Sequence, residues 1–446
     1  MVKKEIKSLN KERRYKYDIS PFTILLIGII TFGIQVFGYM EAELLNTFID
    51  HVLNLEYVFI GIMVSFSAIM GLTFLFVWGV VSDNTRSKFG RRRPFLFVGG
   101  IICGISIIVF GFSSSYIMVF IIDVLIIGIA SNAYYSAQKV LVPDLVEKEY
   151  RGRVNGMVNM LGIFGYLLPL TLTFIANEFY TIPDPDIPGG LIITREGHII
   201  MLSIGGIILL ICTGIGGIFL KDNISPSELP EKKKFIEEIR KTFNIKDLKK
   251  NYEFFKLLIA QTIIWSGVMV MTPYVFNFIL SMGLKTLDLV IIFGIAGSIG
   301  LISFPLLGKL SDQIGRKKTL TTVVAVTTPG FAMIPFITEF STSPNIILLG
   351  IAFSSVFVGI LALVIPMNTW AQDLMPEGRK GQFTGILNIR DSLSQVIGSL
   401  SAGILATAIS GITTRPIAWI FLLIPFYFLG SIPILMRVKE TLTEEV

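Results

Sequence analysis

Apolar runs of roughly 18–25 residues recur from one end of this chain to the other, each long enough to cross the hydrocarbon core of a bilayer as a helix. No other feature narrows the fold as much. In hydrocarbon the backbone finds no water, so a spanning segment bonds its own N–H and C=O groups, and a helix does this by default. Spans are expected near 21–47, 57–81, 94–112, 116–139, 152–178, 198–220, 253–280, 286–308, 319–338, 344–369, 381–409 and 416–436. Composition agrees: 52% of the 446 residues are hydrophobic and 16% are charged, against about 25% charged in a soluble domain. The expected class is an all-α membrane protein with twelve transmembrane helices.

Basic residues orient the spans. Of 38 Lys and Arg, Arg195, Lys285 and Arg415 fall in loops of one face and Lys139 and Arg390 within spans; the rest lie in the tails and the opposite loops. Positively charged loops stay in the cytoplasm, so both termini are expected there, in a multi-pass protein of the cell membrane. The net charge of +6 is spread along a membrane face, and no nucleic-acid partner is expected. The first apolar run is too long for a cleaved signal core and reads as a retained helix. Cys103 and Cys212 lie inside apolar runs and read as small buried hydrophobes. No C-x-x-C or His/Cys cluster points to a metal or a cofactor. No P-loop, HExxH or GxSxG motif points to an enzyme.

A polar, proline-punctuated segment divides the spans six and six. The expected organisation is a cytoplasmic tail over 1–20, a six-helix bundle over 21–220, a cytoplasmic linker over 221–252, a second bundle over 253–436 and a tail over 437–446. Within the linker, 231–243 fits an amphipathic surface helix or a solvated connection. The halves also repeat. Gly79, Ser82 and Asp83 match Gly308, Ser311 and Asp312, 229 residues on. The same offset relates Asp144 to Asp373, Gly152 to Gly381, Gly156 to Gly385 and Asn159 to Asn388. Two parallel six-helix repeats are a transporter plan, with the substrate site near the midplane between them.

The repeated stretch carries a resemblance. GKLSDQIGRKK (308–318) resembles the cytoplasmic signature of the major facilitator superfamily. The first copy, GVVSDNTRSKFGRRRPF (79–95), is longer by four residues. Its ending resembles the sugar:cation symporters: plant-type sucrose carriers, their animal relatives and the glycoside–pentoside–hexuronide group. GIQVFGYMEAELLNTFI (33–49) and NAYYSAQKVLVPDL (132–145) resemble the first helix and the end of the fourth helix of those carriers, with Lys139 where a basic residue is usual. Asn84 and Gln313 stand where an Arg often follows the Asp. The resemblance implies two pseudo-symmetric bundles in the major facilitator fold, acting as a monomer. It also implies symport of a di- or monosaccharide with H⁺ or Na⁺ by alternating access. Sucrose-type carriers place a proton-accepting acid in the fourth helix; here Gly128 falls at that position and Asp123 lies about five residues earlier. Other readings are a proton-antiporting exporter of drugs or metabolites and a non-transporting sensor on the same scaffold.

Polar residues inside spans are expensive and face a cavity or a partner. At 100° per residue, Gln35, Tyr39, Glu43 and Asn46 share an arc of about 80° in span 1, while Glu41 points away. In span 4, Asp123, Tyr134 and Gln138 share one side and Asn132 and Lys139 the other. Asn155, Asn159, Gly162 and Tyr166 line one stripe of span 5. Gln261, Trp265 and Thr272 line one face of span 7. In span 11, Asn388, Asp391 and Gln395 lie together, with Arg390 alongside; Arg390 and Asp391 point about 100° apart and need not pair. Spans 3, 6, 9 and 12 have no charge in their cores and are expected to face lipid. Amides, carboxylates and aromatic rings suit a sugar's hydroxyls and its apolar face. His51 and His198 lie at outer ends, so coupling is expected to use Glu43, Asp123 or Asp391. Asp83 ends helix 2, where the helix dipole disfavours an anion. Its expected partners are Arg91, Arg92 and Arg93 of its own loop, or Arg379. Asp312 has the mirrored choice of Arg316 or Arg151. With Asp144 and Asp373 these form an expected cytoplasmic gate.

Overall fold

The computed structural model describes residues 20–220, 251–339, 345–376 and 380–441, without the side chains of 301, 304–312, 365, 380–382 and 384. Arg379, the side chain of Asp312, the segment 231–243, residues 1–19 and residues 442–446 lie outside the described residues. Helices run over α1 (Pro21–His51), α2 (Tyr57–Asn84), α3 (Arg93–Gly111), α4 (Tyr116–Leu145), α5 (Arg151–Phe179) and α6 (Arg195–Phe219). After the linker come α7 (Tyr252–Ser281), α8 (Thr286–Ile314), α9 (Arg316–Glu339), α10 (Ile346–Asp373), α11 (Lys380–Ile409) and α12 (Pro416–Leu435). Among the described residues, eleven helices are long and apolar enough to cross a membrane; α8 contributes the shorter apolar stretch Thr286–Gly300.

Local signals explain the starts. Ser20 accepts a bond from the Phe22 N–H and Pro21 follows at the first helical position, the capping arrangement that opens a helix cheaply. In α3, Pro94 stands in the first turn, at the second helical position. Helices α3, α6, α9 and α12 present exposed apolar side chains, among them Val98, Ile105, Ile211, Val326 and Phe426. Cys103 and Cys212 are buried and free.

Beside the helices lies one short sheet. Thr181–Pro183 (β1) and Leu191–Ile193 (β2) pair antiparallel between α5 and α6. The intervening DPDIPGG is turn chemistry: the Asp184 carboxylate accepts from the Asp186 and Ile187 N–H groups, and Gly189 takes a positive φ of 76°. Three-residue strands are too short to show an alternating pattern.

Packing divides the chain into two compact units. One comprises Met1–Leu45, Met70–Phe174 and Arg195–Phe235; the other comprises Asn46–Ile69, Ile175–Thr194 and Ile236–Val446. Residues 46–69 and 175–194 therefore precede the linker in sequence but pack with the helices beyond it. Glycine makes this possible. A Cβ on Gly61 would meet the Ser399 carbonyl oxygen at 2.7 Å, and one on Gly403 would meet the Tyr57 carbonyl oxygen at 2.8 Å. Small residues let α2 and α11 touch backbone to backbone, the usual basis of tight packing between membrane helices.

Candidate functional site

In the first unit, two helices carry a wider turn where they hold acids. Met40–Leu44 of α1 is π-helical and contains Glu41 and Glu43; Ile121–Ile127 of α4 is π-helical and contains Asp123. Such bulges insert a residue into the turn and are frequent at functional sites. They also shift the side-chain register, which amends the reading from helical periodicity. Glu41 and Glu43 do diverge, but Glu41 turns toward Asp123, within its electrostatic range, instead of away from the polar interior. Glu43 lies within range of Tyr39 and Tyr166. These two rings meet edge to face, 5.4 Å apart at 88°. The Glu43 Oε2 is buried with no hydrogen-bond partner among the described residues. Gln35 sits against Gly162 and Gly165 of α5.

Gln35, Tyr39, Glu43 and Tyr166 are thus brought together, and Glu41 with Asp123 forms a second acidic group. Asp123 is only 4% exposed. Tyr134 donates to the Ile30 carbonyl at 3.0 Å and Gln138 to the Thr31 hydroxyl at 2.8 Å, which ties α4 to α1 on the expected side. Asn132 bonds within its own helix, its amide donating to the Gly128 carbonyl at 2.7 Å. Asn159 is exposed.

In the second unit, Arg390 is the centre. Its Nε and Nη2 donate to Asp391 Oδ1 at 2.9 and 2.7 Å, and its Nη1 donates to Gln261 Oε1 at 2.7 Å. Gln261 in turn donates to the Met367 carbonyl at 2.7 Å. Arg390 and Asp391 do pair, because the long guanidinium arm reaches back around the helix. The cation also lies 5.9 Å from the centre of the Trp265 ring, within cation–π range. The Trp265 indole N–H is buried with no acceptor among the described residues. Asn388 and Asp391 are exposed and Gln395 is half-buried.

The base-rich loops are built around ion pairs. Asp83 Oδ1 accepts from Arg91 at 2.6 Å and Arg92 at 2.7 Å, while Arg92 Nε reaches Asp144 at 2.8 Å. Arg92, 2% exposed, therefore links both acids of the repeat. In the other copy, Arg316 pairs with Asp373. Gly90 and Gly315, the glycines that precede these bases, both have positive φ, 102° and 88°, a conformation glycine adopts without steric cost. Two expected gate residues bond elsewhere. Arg93 donates to the Gly217 and Ile218 carbonyls at the end of α6. Arg151 donates to the Pro143 and Val146 carbonyls and braces the α4–α5 turn.

The model of the major facilitator superfamily matches residues 24–399. The chain belongs to the major facilitator superfamily. That family is one of multi-pass membrane transporters, not of enzymes. This facilitator is 26% identical to the sucrose transport protein SUC3 of Arabidopsis thaliana over 172 residues, 34% of this chain and 29% of that one. It is 35% identical to the sucrose transport protein SUT3 of Oryza sativa subsp. indica over 97 residues, 22% of this chain and 19% of that one. The matched stretch thus spans less than a third of each carrier's length. A mutant of the nucleoside transporter NupG superposes with TM-score 0.73 at 12% identity, covering 93% of this chain and 99% of that one. A bacterial homologue of the human lysosomal transporter Spinster, inward-facing and occupied, superposes with TM-score 0.70 at 11% identity, covering 94% and 97%. These likenesses bear out the major facilitator fold.

Sequence reasoning passed over one polar cluster of this facilitator, at the base-poor end of the second unit. Asp50 accepts from Asn277 at 2.6 Å, and His51 Nδ1 accepts from the Ile193 N–H of β2 at 3.1 Å. Tyr274 donates to the Ser399 carbonyl at 2.9 Å, and Ser65 shares a hydrogen bond with Ser399 at 3.1 Å. Arg415 donates to the Ser281 and Pro188 carbonyls. Asp50, His51 and Arg415 fall at helix ends, where polar side chains read only as boundary markers.

Proposed function

We propose that this facilitator is a sugar:cation symporter of the cell membrane, working as a monomer by alternating access, with its base-rich loops and both termini in the cytoplasm. The observation that carries the reading is the Trp265–Arg390–Gln261 group. An indole offers a flat apolar face and an unused N–H donor beside a guanidinium already neutralised by Asp391. That suits an uncharged solute rich in hydroxyls, whereas an anionic solute would compete with Asp391 for Arg390. The likeness to sucrose transport proteins supports the same class. In the first unit, Gln35, Tyr39, Glu43 and Tyr166 are the candidate solute contacts, with Asn132 and Asn159 beside them. Asn388 and Gln395 are those in the second. Coupling is assigned to Glu41 and Asp123, the acids on the two π turns that lie within electrostatic range of each other.

Uptake of radiolabelled sucrose and monosaccharides into vesicles tests the proposal. Accumulation that depends on an inward proton gradient is expected; accumulation independent of any cation gradient refutes symport, and no sugar uptake refutes the substrate class.

The ion pairs of Asp83, Arg91, Arg92 and Asp144 and of Arg316 and Asp373 act as a cytoplasmic gate that parts when that side opens. Replacing Asp83 with Asn removes two charge-assisted bonds, each worth about 1.5–3 kcal/mol when buried, so the open–closed balance should move by roughly tenfold or more. Hydrogen exchange of the 84–93 loop and the initial uptake rate measure it; an unchanged loop and an unchanged rate end the gate reading.

A further inference from the structure

The connection between α5 and α6 is longer than a turn needs. It spans 180–194, whereas 112–115 join α3 to α4 and 282–285 join α7 to α8. Neighbouring helices in bundles are usually joined by about 2–8 residues, and longer ordered loops are usually functional. The extra length is the β1–β2 hairpin, and its partners lie away from the helices it joins. The helix bodies up to Phe174 and from Arg195 onward pack in the first unit, while 175–194 pack in the second.

The seat is specific. In the α7–α8 turn, Gly283 has a φ of 62°, and a Cβ built on it would meet the Gly189 carbonyl oxygen at 1.7 Å. The hairpin tip thus rests on bare backbone that only glycine leaves open. Arg415, 3% exposed, donates to the Pro188 carbonyl of the tip, to the Ser281 carbonyl at the end of α7 and to the Thr338 carbonyl of α9. On the second strand, His51 Nδ1 accepts from the Ile193 N–H at 3.1 Å. At the root, Asn177 donates to the Leu284 carbonyl at 3.2 Å and Glu178 accepts from the Thr286 hydroxyl at 3.0 Å. Ile187 and Ile193 are buried, so the docked hairpin also hides apolar surface. Gly283, Arg415, His51, Leu284 and Thr286 all belong to the second unit.

We propose, on the alternating-access reading above, that the hairpin is a latch of the base-poor side, docked on the second unit while that side is shut and released when it opens. Helices α5 and α6 carry the hairpin by its two ends, so rocking of one six-helix half against the other pulls directly on the docked tip. The seat gives way at a few identified places: the tip on Gly283, the Arg415 and His51 hydrogen bonds, and the root at Leu284 and Thr286. Each is a local contact that re-forms when the tip returns.

A reversible covalent lock tests the latch in the full chain in proteoliposomes. E178C/T286C places thiols where a carboxylate and a hydroxyl now touch, and a bis-methanethiosulfonate reagent joins them. Cys103 and Cys212 are buried, and the wild type treated alike is the control. The readout is hydrogen exchange of the base-rich loop 84–93, which needs no solute. Locking the base-poor side shut removes the states open there, so exchange in 84–93 should rise and should return on reduction. The rise is about tenfold for a protein that spends nine-tenths of its time open on the base-poor side. His51→Leu removes the acceptor of the Ile193 N–H. It should speed exchange at Ile193 and slow it in 84–93, the opposite sign. Unchanged exchange of 84–93 in both the locked protein and His51→Leu overturns the latch, as does a wild-type Ile193 amide that exchanges like an unfolded one. Gly61→Trp separates the latch from the reading beneath it. A Cβ at Gly61 meets Ser399, Tyr274 and Leu400, none of them in the hairpin, so the indole wedges α2 from α11 directly. If Gly61→Trp slows exchange in 84–93 while the lock and His51→Leu leave it unchanged, the latch falls and alternating access stands; if none of the three moves it, both fall.

Discussion

Asp123→Asn and Glu41→Gln are each expected to abolish uphill solute accumulation while sparing exchange of solute across the membrane. A proton gradient of one pH unit stores about 1.4 kcal/mol per proton, enough for roughly tenfold accumulation through one coupled proton. In either amide variant the ratio should fall to unity, because the proposed coupling pair is then broken. Counterflow should persist, since neither residue belongs to the group around Trp265. Glu43→Gln should behave differently. Glu43 stands beside Tyr39 and Tyr166, so its loss should raise the KM for solute more than it lowers the accumulation ratio. The measurement is steady-state uptake into proteoliposomes with and without an imposed pH gradient. If both amide variants still accumulate solute, the pair is not the coupling site.

Arg390 and Asp391 should respond asymmetrically to substitution. Asp391→Asn leaves a 5% exposed guanidinium without its counter-ion, and an uncompensated buried charge costs about 3–5 kcal/mol. Arg390→Met removes the charge itself. It strands the buried Gln261 carbonyl, which costs about 1–3 kcal/mol, while Asp391 remains solvated on its exposed side. The double variant R390M/D391N is therefore expected to be more stable than D391N alone. Denaturation midpoints in detergent give the order, with wild type first, then the double variant and R390M, then D391N. Midpoints that place D391N above R390M would show that Asp391 is not what neutralises the buried cation.

The legible part of the candidate site reflects chemistry that acts along the chain. Gln35, Tyr39 and Glu43 recur at four-residue intervals, and that spacing alone puts them on one face. Arg390 and Asp391 announced themselves by cost, since charge inside an apolar span needs a partner. What periodicity missed is tied to places where periodicity fails. The π turns at Met40–Leu44 and Ile121–Ile127 change the angle per residue, so no wheel drawn at 100° could bring Glu41 to Asp123. The adjacent Arg390 and Asp391 pair although their Cβ directions diverge, because a wheel shows directions and not the reach of an arginine. Arg93 and Arg151 looked like their neighbours in the sequence, yet their forks found helix-end carbonyls instead of acids.

The sequence by itself determined the membrane class, the helices and their approximate ends, the repeat and the superfamily, because hydrocarbon imposes length, apolarity and internal hydrogen bonding on each span separately. Tertiary structure alone decided that residues 46–69 and 175–194 pack with the second unit, that a two-stranded hairpin lies between α5 and α6, and which acids meet. Those outcomes depend on contacts between segments far apart in the chain: a glycine under a distant carbonyl, an imidazole under a distant amide. The free energy of such a contact belongs to both partners and is written in neither segment alone.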